Sequence, residues 1–503
     1  MIPSSLRCST AAAVALSFLS FLPAYSEEKK DKKESEVFTV ESASREDSVT
    51  IDGTEIQYQV TASSLALHAD TNKAEQEASI FSVAYTVPRE EGAEGPNPRP
   101  VLFAFNGGPG SSAVWLHLGA LGPKLVPTSP DGTKTLPPPI VLEENPHSIL
   151  DVADLVFIDP VSTGYSRPSN DKKNSYHGLE GDIESVGNFI RLWLTQNQRW
   201  SSPKYLLGES YGGVRAAGLS EHLQKRYGMS LNGVVLLSSL LDFRTLIASQ
   251  GDYLSNQVYL PVMTAVAHHH GKIEGDRDEL YQAARDYANT EFALALQEGA
   301  LLSPEKLDTV SNRLAELTGV PAKIWKETNL RLSPTRFRRE LLREEGLVLG
   351  RFDARVAWPA QDTSGNYPSY DPSYSVALGA FSTSMQAYLS EDLGLTDINT
   401  SYRILTQKVR PWSWNSSNSV VNLTGRLQSA MTDNPQLRIL VMGGYTDFAT
   451  PPTGIGYSLN QLVSLPESSR DRISYTYYEA GHMFYLNEPD LAKMRTDLLE
   501  FIK

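Results

Sequence analysis

The amino-acid sequence predicts an α/β fold: a mostly parallel central sheet with helices on both faces and an inserted helical cap. Two observations carry the sheet and a third the cap. Short, nearly continuous apolar runs recur at 100–105, 154–158, 203–207, 234–237, 439–442 and 473–478. Strands covered on both faces read this way, whereas half-exposed strands alternate. Between the second and third runs, Leu179, Ile183, Val186, Ile190 and Trp193 fall on one face of a helix. Strand and helix therefore alternate, which calls for right-handed crossovers in a layered α/β domain. The third observation is a break in that rhythm from about 245 to 370, where 276–300, 303–317 and 333–347 are helix-rich and two of them open on Ser-Pro, at 303 and 333.

Taken in order, the chain begins with Arg7 ahead of an apolar, small-residue run at 10–23, then Ala24, Tyr25 and Ser26 and a charged stretch. That is the layout of a secretory signal peptide, and the run is shorter than the ~18–20 residues a membrane span needs. The expected organisation is a signal peptide over 1–26, a charged linker over 27–48, the first part of the core over 49–244, the helical cap over 245–370 and the second part of the core over 371–503. Segments 49–60 and 78–87 read as strands of an antiparallel edge. The single cysteine, Cys8, would leave with the signal peptide, so the mature protein would hold together without disulfides. This fits an exported bacterial protein, periplasmic or secreted. Residues 367–374, with two Pro and three Tyr, read as a rigid loop.

Composition excludes several classes. The 503 residues are 41% hydrophobic and carry a formal net charge of −14, a globular and acidic chain. Such a surface repels phosphate backbones and anionic lipid headgroups, so no nucleic-acid partner is expected, and no membrane partner once the signal peptide is gone. The densest basic run, Arg336, Arg338, Arg339 and Arg343, is interleaved with Glu340, Glu344 and Glu345 and reads as a solvated, salt-bridged helix face. His268, His269 and His270 are adjacent, so on a helix they point different ways and make no ligand set. No metal and no cofactor is expected. The oligomeric state is not fixed by these residues.

The chemistry is carried by three turns. Leu206-Leu207-Gly208-Glu209-Ser210-Tyr211-Gly212-Gly213 is a strand, a Gly-x-Ser-x-Gly turn and the start of a helical pattern, a layout that lifts a serine hydroxyl from the sheet edge as a nucleophile. A serine needs a general base, and the base needs a partner that fixes its tautomer. Both follow later strands, as Asp447 and His482, and the order Ser210, Asp447, His482 is that of an α/β-hydrolase. The run at 100–105 ends in Asn106-Gly107-Gly108-Pro109-Gly110-Ser111-Ser112, where side-chain-free residues let backbone approach a ligand, as an oxyanion site requires. A phosphate cradle is the weaker reading of this turn: Pro109 lacks an N–H, no P-loop lysine follows and the spacing is not Gly-x-Gly-x-x-Gly.

Together with Asn145-Pro146, the stretch from Asp159 to Tyr165 and Gly481-His482-Met483, these segments resemble the serine carboxypeptidase family, peptidase family S10. The resemblance covers about 98–245 and 435–490. It implies Ser210 as nucleophile, His482 as general base, Asp447 as its orienting partner, and the N–H groups of Gly108 and Tyr211 as oxyanion donors. It further implies that Asn106 and Glu209 bind the terminal carboxylate of a peptide with a free C-terminus, with Gly107 and Met483 lining the substrate site. Glu209 beside a carboxylate must be protonated to donate to it, so its pKa should be raised and hydrolysis favoured at acidic pH. Many members have Trp, Cys and an acidic residue where this chain has Phe105, Ser111 and Ala120. The expected function is release of C-terminal residues through an acyl-enzyme. An esterase, acyltransferase or aminopeptidase on the same scaffold, or a binding protein that has kept the fold, are the alternatives.

Overall fold

The computed structural model describes residues 37–69, 72–89, 95 and 98–503. The expected signal peptide and residues 27–36 of the linker lie outside them. A ten-stranded sheet organises the chain. Its main strands are β1 (Ala43–Ile51), β2 (Thr54–Ala69), β3 (Asn72–Thr86), β4 (Val101–Phe105), β5 (Asp154–Ile158), β6 (Lys204–Glu209), β7 (Gly233–Leu237), β8 (Arg438–Gly444) and β9 (Ile473–Tyr478). They lie in the order β1-β2-β3-β5-β4-β6-β7-β8-β9, and a two-residue strand at Arg167–Pro168 pairs with β3. From β5 to β9 every neighbour is parallel. β1, β2 and β3 add an antiparallel edge. This is the α/β-hydrolase arrangement.

The edge departs from the sequence reading in one respect. The apolar and β-branched residues of 49–60 are a hairpin, not one strand, because Asp52 and Gly53 both take positive φ and turn β1 into β2. The six apolar runs all become strands of the parallel set. Alternate residues of β4 serve opposite layers: Leu102 and Ala104 join the core under the C-terminal helix Glu488–Ile502, and Val101, Phe103 and Phe105 join the core under α1 (Leu179–Gln196) and α2 (Tyr211–Tyr227). Both faces of every central strand are thus sealed by helices, which explains the lack of alternation.

Between β7 and β8 the chain forms the helices Leu254–His269, Arg277–Asn289, Glu291–Glu298, Pro304–Thr318, Ala322–Glu327 and Pro334–Glu340, which share a separate apolar core. Ser303 and Ser333 cap two of them, accepting from Lys306 N–H and Arg336 N–H, both at 3.2 Å. The helix expected over 333–347 stops at Glu340, and its basic run is not solvated. Arg338, Arg339 and Glu340 are buried. Arg338 and Arg339 donate to the carbonyls of Leu349 and Leu347, and Glu340 is held by Arg336 and Arg343. Charges that look like a surface stripe are here consumed as fasteners for the short strand Leu347–Leu349. The loop expected over 367–374 is likewise cut short, since Asp371 caps a helix at Pro372–Ala387 through the Ser373 N–H. His268 and His270 face the carbonyls of Gly275 and Ala354. Among the described residues no helix is long and apolar enough to cross a membrane.

Candidate active site

β6 runs straight into the serine turn. Ser210 has φ 62° and ψ −128°, a strained conformation for a residue with a Cβ. It is held there by its N–H to Leu237 O at 3.0 Å, by Gly213 N–H to its carbonyl at 2.9 Å, and by Ser239 Oγ to the same carbonyl at 3.1 Å. The turn leaves Ser210 partly exposed while its neighbours are buried. Gly107, at the end of β4, comes so close to this turn that a Cβ there would lie 2.5 Å from Tyr211 N and 2.7 Å from Gly212 N. Among the described residues neither the Gly108 nor the Tyr211 N–H has an acceptor in the chain. Both are therefore available as donors at the serine turn.

Asp447 and His482, each just past a parallel strand, are buried and joined: His482 Nδ1 lies 2.8 Å from Asp447 Oδ2. Asp447 Oδ1 accepts from the N–H groups of Ala449 (2.6 Å) and Thr450 (2.9 Å), which fixes the carboxylate plane. Thr450 Oγ1 sits 2.9 Å from Asp447 Oδ2, 3.0 Å from His482 Nδ1 and 2.6 Å from Ser238 O. With Nδ1–H given to the carboxylate, Nε2 is left bare as an acceptor. Ser238 and Ser239 link this pair to the serine turn, the first through Thr450 and the second through the Ser210 carbonyl. Ser210 Oγ makes no hydrogen bond among the described residues, and contacts of this kind tighten when substrate is bound.

Glu209 is buried and accepts a hydrogen bond from Tyr485 Oη at 2.8 Å, and the Asn106 amide also reaches it. Burial pushes its pKa up to about 7, against the lowering effect of His482, Tyr485 and Asn106. Asn106 is itself anchored, its Oδ1 accepting from Leu116 N–H at 3.2 Å and its carbonyl from Arg215 at 2.8 Å. Ala120 is buried and its carbonyl accepts from Asn145 Nδ2, so no carboxyl joins the pair from that position. Ser111 Oγ accepts from the Trp115 indole at 3.1 Å. Met483 is partly buried against the core beneath the sheet.

Several residues at the site carry no local sequence signal. Arg215, five positions after Ser210 on α2, pairs with Asp182 of α1 at 2.8 Å, and Tyr211 Oη donates to the same carboxylate at 3.0 Å. Through Asn106 O, this buried pair ties the Gly-rich turn to the serine helix. Phe352 stacks on the His482 ring, and its carbonyl accepts the His482 N–H at 2.5 Å. A side chain at residue 481 would collide with that carbonyl, which accounts for Gly481. Asp159 is buried, accepts from Ala113 N–H at 2.9 Å and Tyr402 Oη at 3.2 Å, and is pushed up to about 7 by burial. It braces the Gly-rich turn from below. Asp159 opens the 159–165 stretch on which the family resemblance already rests, and Thr450, in Asp-x-x-Thr, could have been suspected, since such a hydroxyl commonly bonds back within its turn.

A serine carboxypeptidase family model matches residues 71–483. Serine carboxypeptidase-like 34 of Arabidopsis thaliana is 30% identical over 165 residues, 31% of this chain and 32% of that protein. Lysosomal protective protein of Mus musculus is 29% identical over 157 residues, 30% of each. The matched stretch thus spans about a third of the length of these curated relatives. The crystal structure of Kex1Δp, a prohormone-processing carboxypeptidase from Saccharomyces cerevisiae, superposes with a TM-score of 0.54 at 17% identity, covering 88% of this chain and 91% of that one, a likeness of fold. With the family pattern spread across most of its length and the fold in agreement, the chain belongs to the serine carboxypeptidase family of serine hydrolases.

Proposed function

We infer that this protein is a serine-type carboxypeptidase that releases C-terminal residues from peptides through an acyl-enzyme. The observation that carries the reading is a carboxyl group, Glu209, adjacent to the strained serine and kept protonatable near neutrality by burial. His482, its tautomer fixed by Asp447, takes the Ser210 proton as the hydroxyl attacks the scissile carbonyl, and the N–H groups of Gly108 and Tyr211 receive the developing oxyanion. His482 then protonates the leaving amine, and water hydrolyses the ester by the same route. Protonated Glu209 and the Asn106 amide bind the terminal carboxylate, with Gly107 and Met483 beside them, so a substrate without that group is held poorly.

Segment 245–370 serves as the cap over this site. Support comes from Phe337, which stacks at 5.4 Å on Phe448, the residue after Asp447, so the cap core meets the acid turn directly. Residues 1–26 direct export, and the disulfide-free remainder suits a bacterial periplasmic or secreted enzyme. The test is mass spectrometry over time on a peptide with a free C-terminus and on its C-terminal amide, with Ser210→Ala as control. Stepwise shortening of the first peptide only, abolished in the variant, is the expected result. Equal action on both peptides, or loss from the N-terminus, overturns the proposal in favour of an esterase or aminopeptidase.

A further inference from the structure

We propose that Arg351 is a specificity residue that recognises a carboxylate side chain on the substrate residue flanking the scissile bond. The inference rests on the carboxypeptidase reading of the site and names the class of peptide it prefers. Arg351 is exposed, and its guanidinium lies over the Phe352 ring, 5.4 Å from the centroid. That same ring stacks on His482 with centroids 5.2 Å apart. One aromatic side chain therefore separates the cation from the imidazole. Phe352 continues through Tyr374 at 6.0 Å to Trp115 at 6.3 Å, an aromatic wall leading back to the Gly-rich turn. Trp115 is buried at the inner end of this chain of rings and Arg351 is exposed at its outer end, so a peptide whose scissile bond reaches His482 from solvent would pass the guanidinium.

The guanidinium is without an ion pair or hydrogen bond among the described residues. The nearby carboxylates are already engaged. Asp371 Oδ1 accepts from the backbone N–H of Arg351, from Ser373 N–H and from Ser373 Oγ, and Arg338 lies 3.9 Å away. Asp353 is held by Arg355 in a two-point pair and by Thr446 Oγ1. With Arg338 and Arg351 on one side and Asp371 on the other, the local balance is positive on a chain whose formal net charge is −14. An arginine held against an aromatic face with its N–H fork open to solvent is suited to two-point binding of a carboxylate. The chemical class that answers it is a peptide with Glu or Asp next to the bond to be cut.

The experiment uses four peptides with a free C-terminus that differ only in Glu or Gln at the last or the next-to-last position, assayed near pH 6, where a Glu side chain is ionised. The wild-type enzyme should favour Glu over Gln in kcat/KM by about fivefold or more at one of the two positions, the size of a well-placed exposed ion pair. The ratio should fall to near one in Arg351→Gln, invert in Arg351→Glu and persist in part in Arg351→Lys. A wild-type ratio near one at both positions, or a ratio that survives in Arg351→Gln, overturns the proposal. If no peptide is shortened, the carboxypeptidase reading fails, and the same ratio is then read from equilibrium binding of the four peptides to Ser210→Ala with and without Arg351→Gln.

Discussion

Phe352 lies on the imidazole of His482, with planes 25° from parallel and the backbone carbonyl of the one accepting the N–H of the other. His482 is thus held at three points, the ring face, the backbone, and Nδ1 by Asp447, which in the proposed mechanism aims its Nε2 at Ser210. Phe352→Leu removes the stacked face and keeps the carbonyl. Aromatic stacking of this kind contributes about 0.5–1.5 kcal/mol, so kcat should fall by roughly threefold to tenfold with KM little changed. Steady-state kinetics on one peptide checks it.

In the proposed mechanism Glu209 sets the pH dependence. Its pKa is raised to about 7 because burial disfavours the carboxylate, so the form that donates to a substrate carboxylate prevails below that value and is lost above it. In wild type, kcat/KM on a free C-terminus should decline as pH rises through about 7. In Glu209→Gln, which donates at every pH, that decline should flatten. The linkage has the same sign: a buried acid with a raised pKa binds its proton more tightly folded than unfolded, so stability drops between the ordinary carboxylate range and pH 7. The stability of Glu209→Gln relative to wild type should therefore be higher at pH 8 than at pH 5, as read by denaturant midpoints.

Arg215 and Asp182 test the brace behind the Gly-rich turn. Both are buried, and removing the cation leaves an unpaired carboxylate. Arg215→Met should destabilise by about 3–5 kcal/mol, and adding Asp182→Asn should recover part of the loss. Urea unfolding of the two variants decides this.

Thr450 gives a smaller effect of a different kind. Its hydroxyl serves Asp447 and Ser238 O at once. Thr450→Val keeps the volume and strips both contacts, so about 1–3 kcal/mol of stability should be lost together with activity. A variant as stable and as active as wild type would show that the hydroxyl is dispensable.

The parallel strands up to β8 were legible in the sequence because both of their faces are covered, which leaves an unbroken apolar signature. β9 is an edge strand with Ser474 and Tyr475 exposed, and was legible from its aromatic and β-branched residues. Ser210, Asp447 and His482 were legible because each follows a strand. What was not legible depends on contacts between distant segments. Arg338 and Arg339 read as a surface stripe because nothing local reveals that a returning strand will bury them. Phe352, Arg215 and Tyr485 meet the site only after the sheet has ordered its ends, and no spacing within their own segments marks them. The hairpin at Asp52 and Gly53 was missed for the opposite reason: the turn signal was present but lay inside a run that alternates well on both sides.

In the proposed mechanism Ser210 is a nucleophile activated by His482 and Asp447. This activation is tested most directly by treating the folded enzyme with a fluorophosphonate and locating the adduct by peptide mass spectrometry. A single phosphonyl group on Ser210, formed at least about a hundredfold more slowly in His482→Ala, is the expected result. An enzyme that shortens peptides yet carries no adduct on Ser210, or carries it on another residue, would contradict the account.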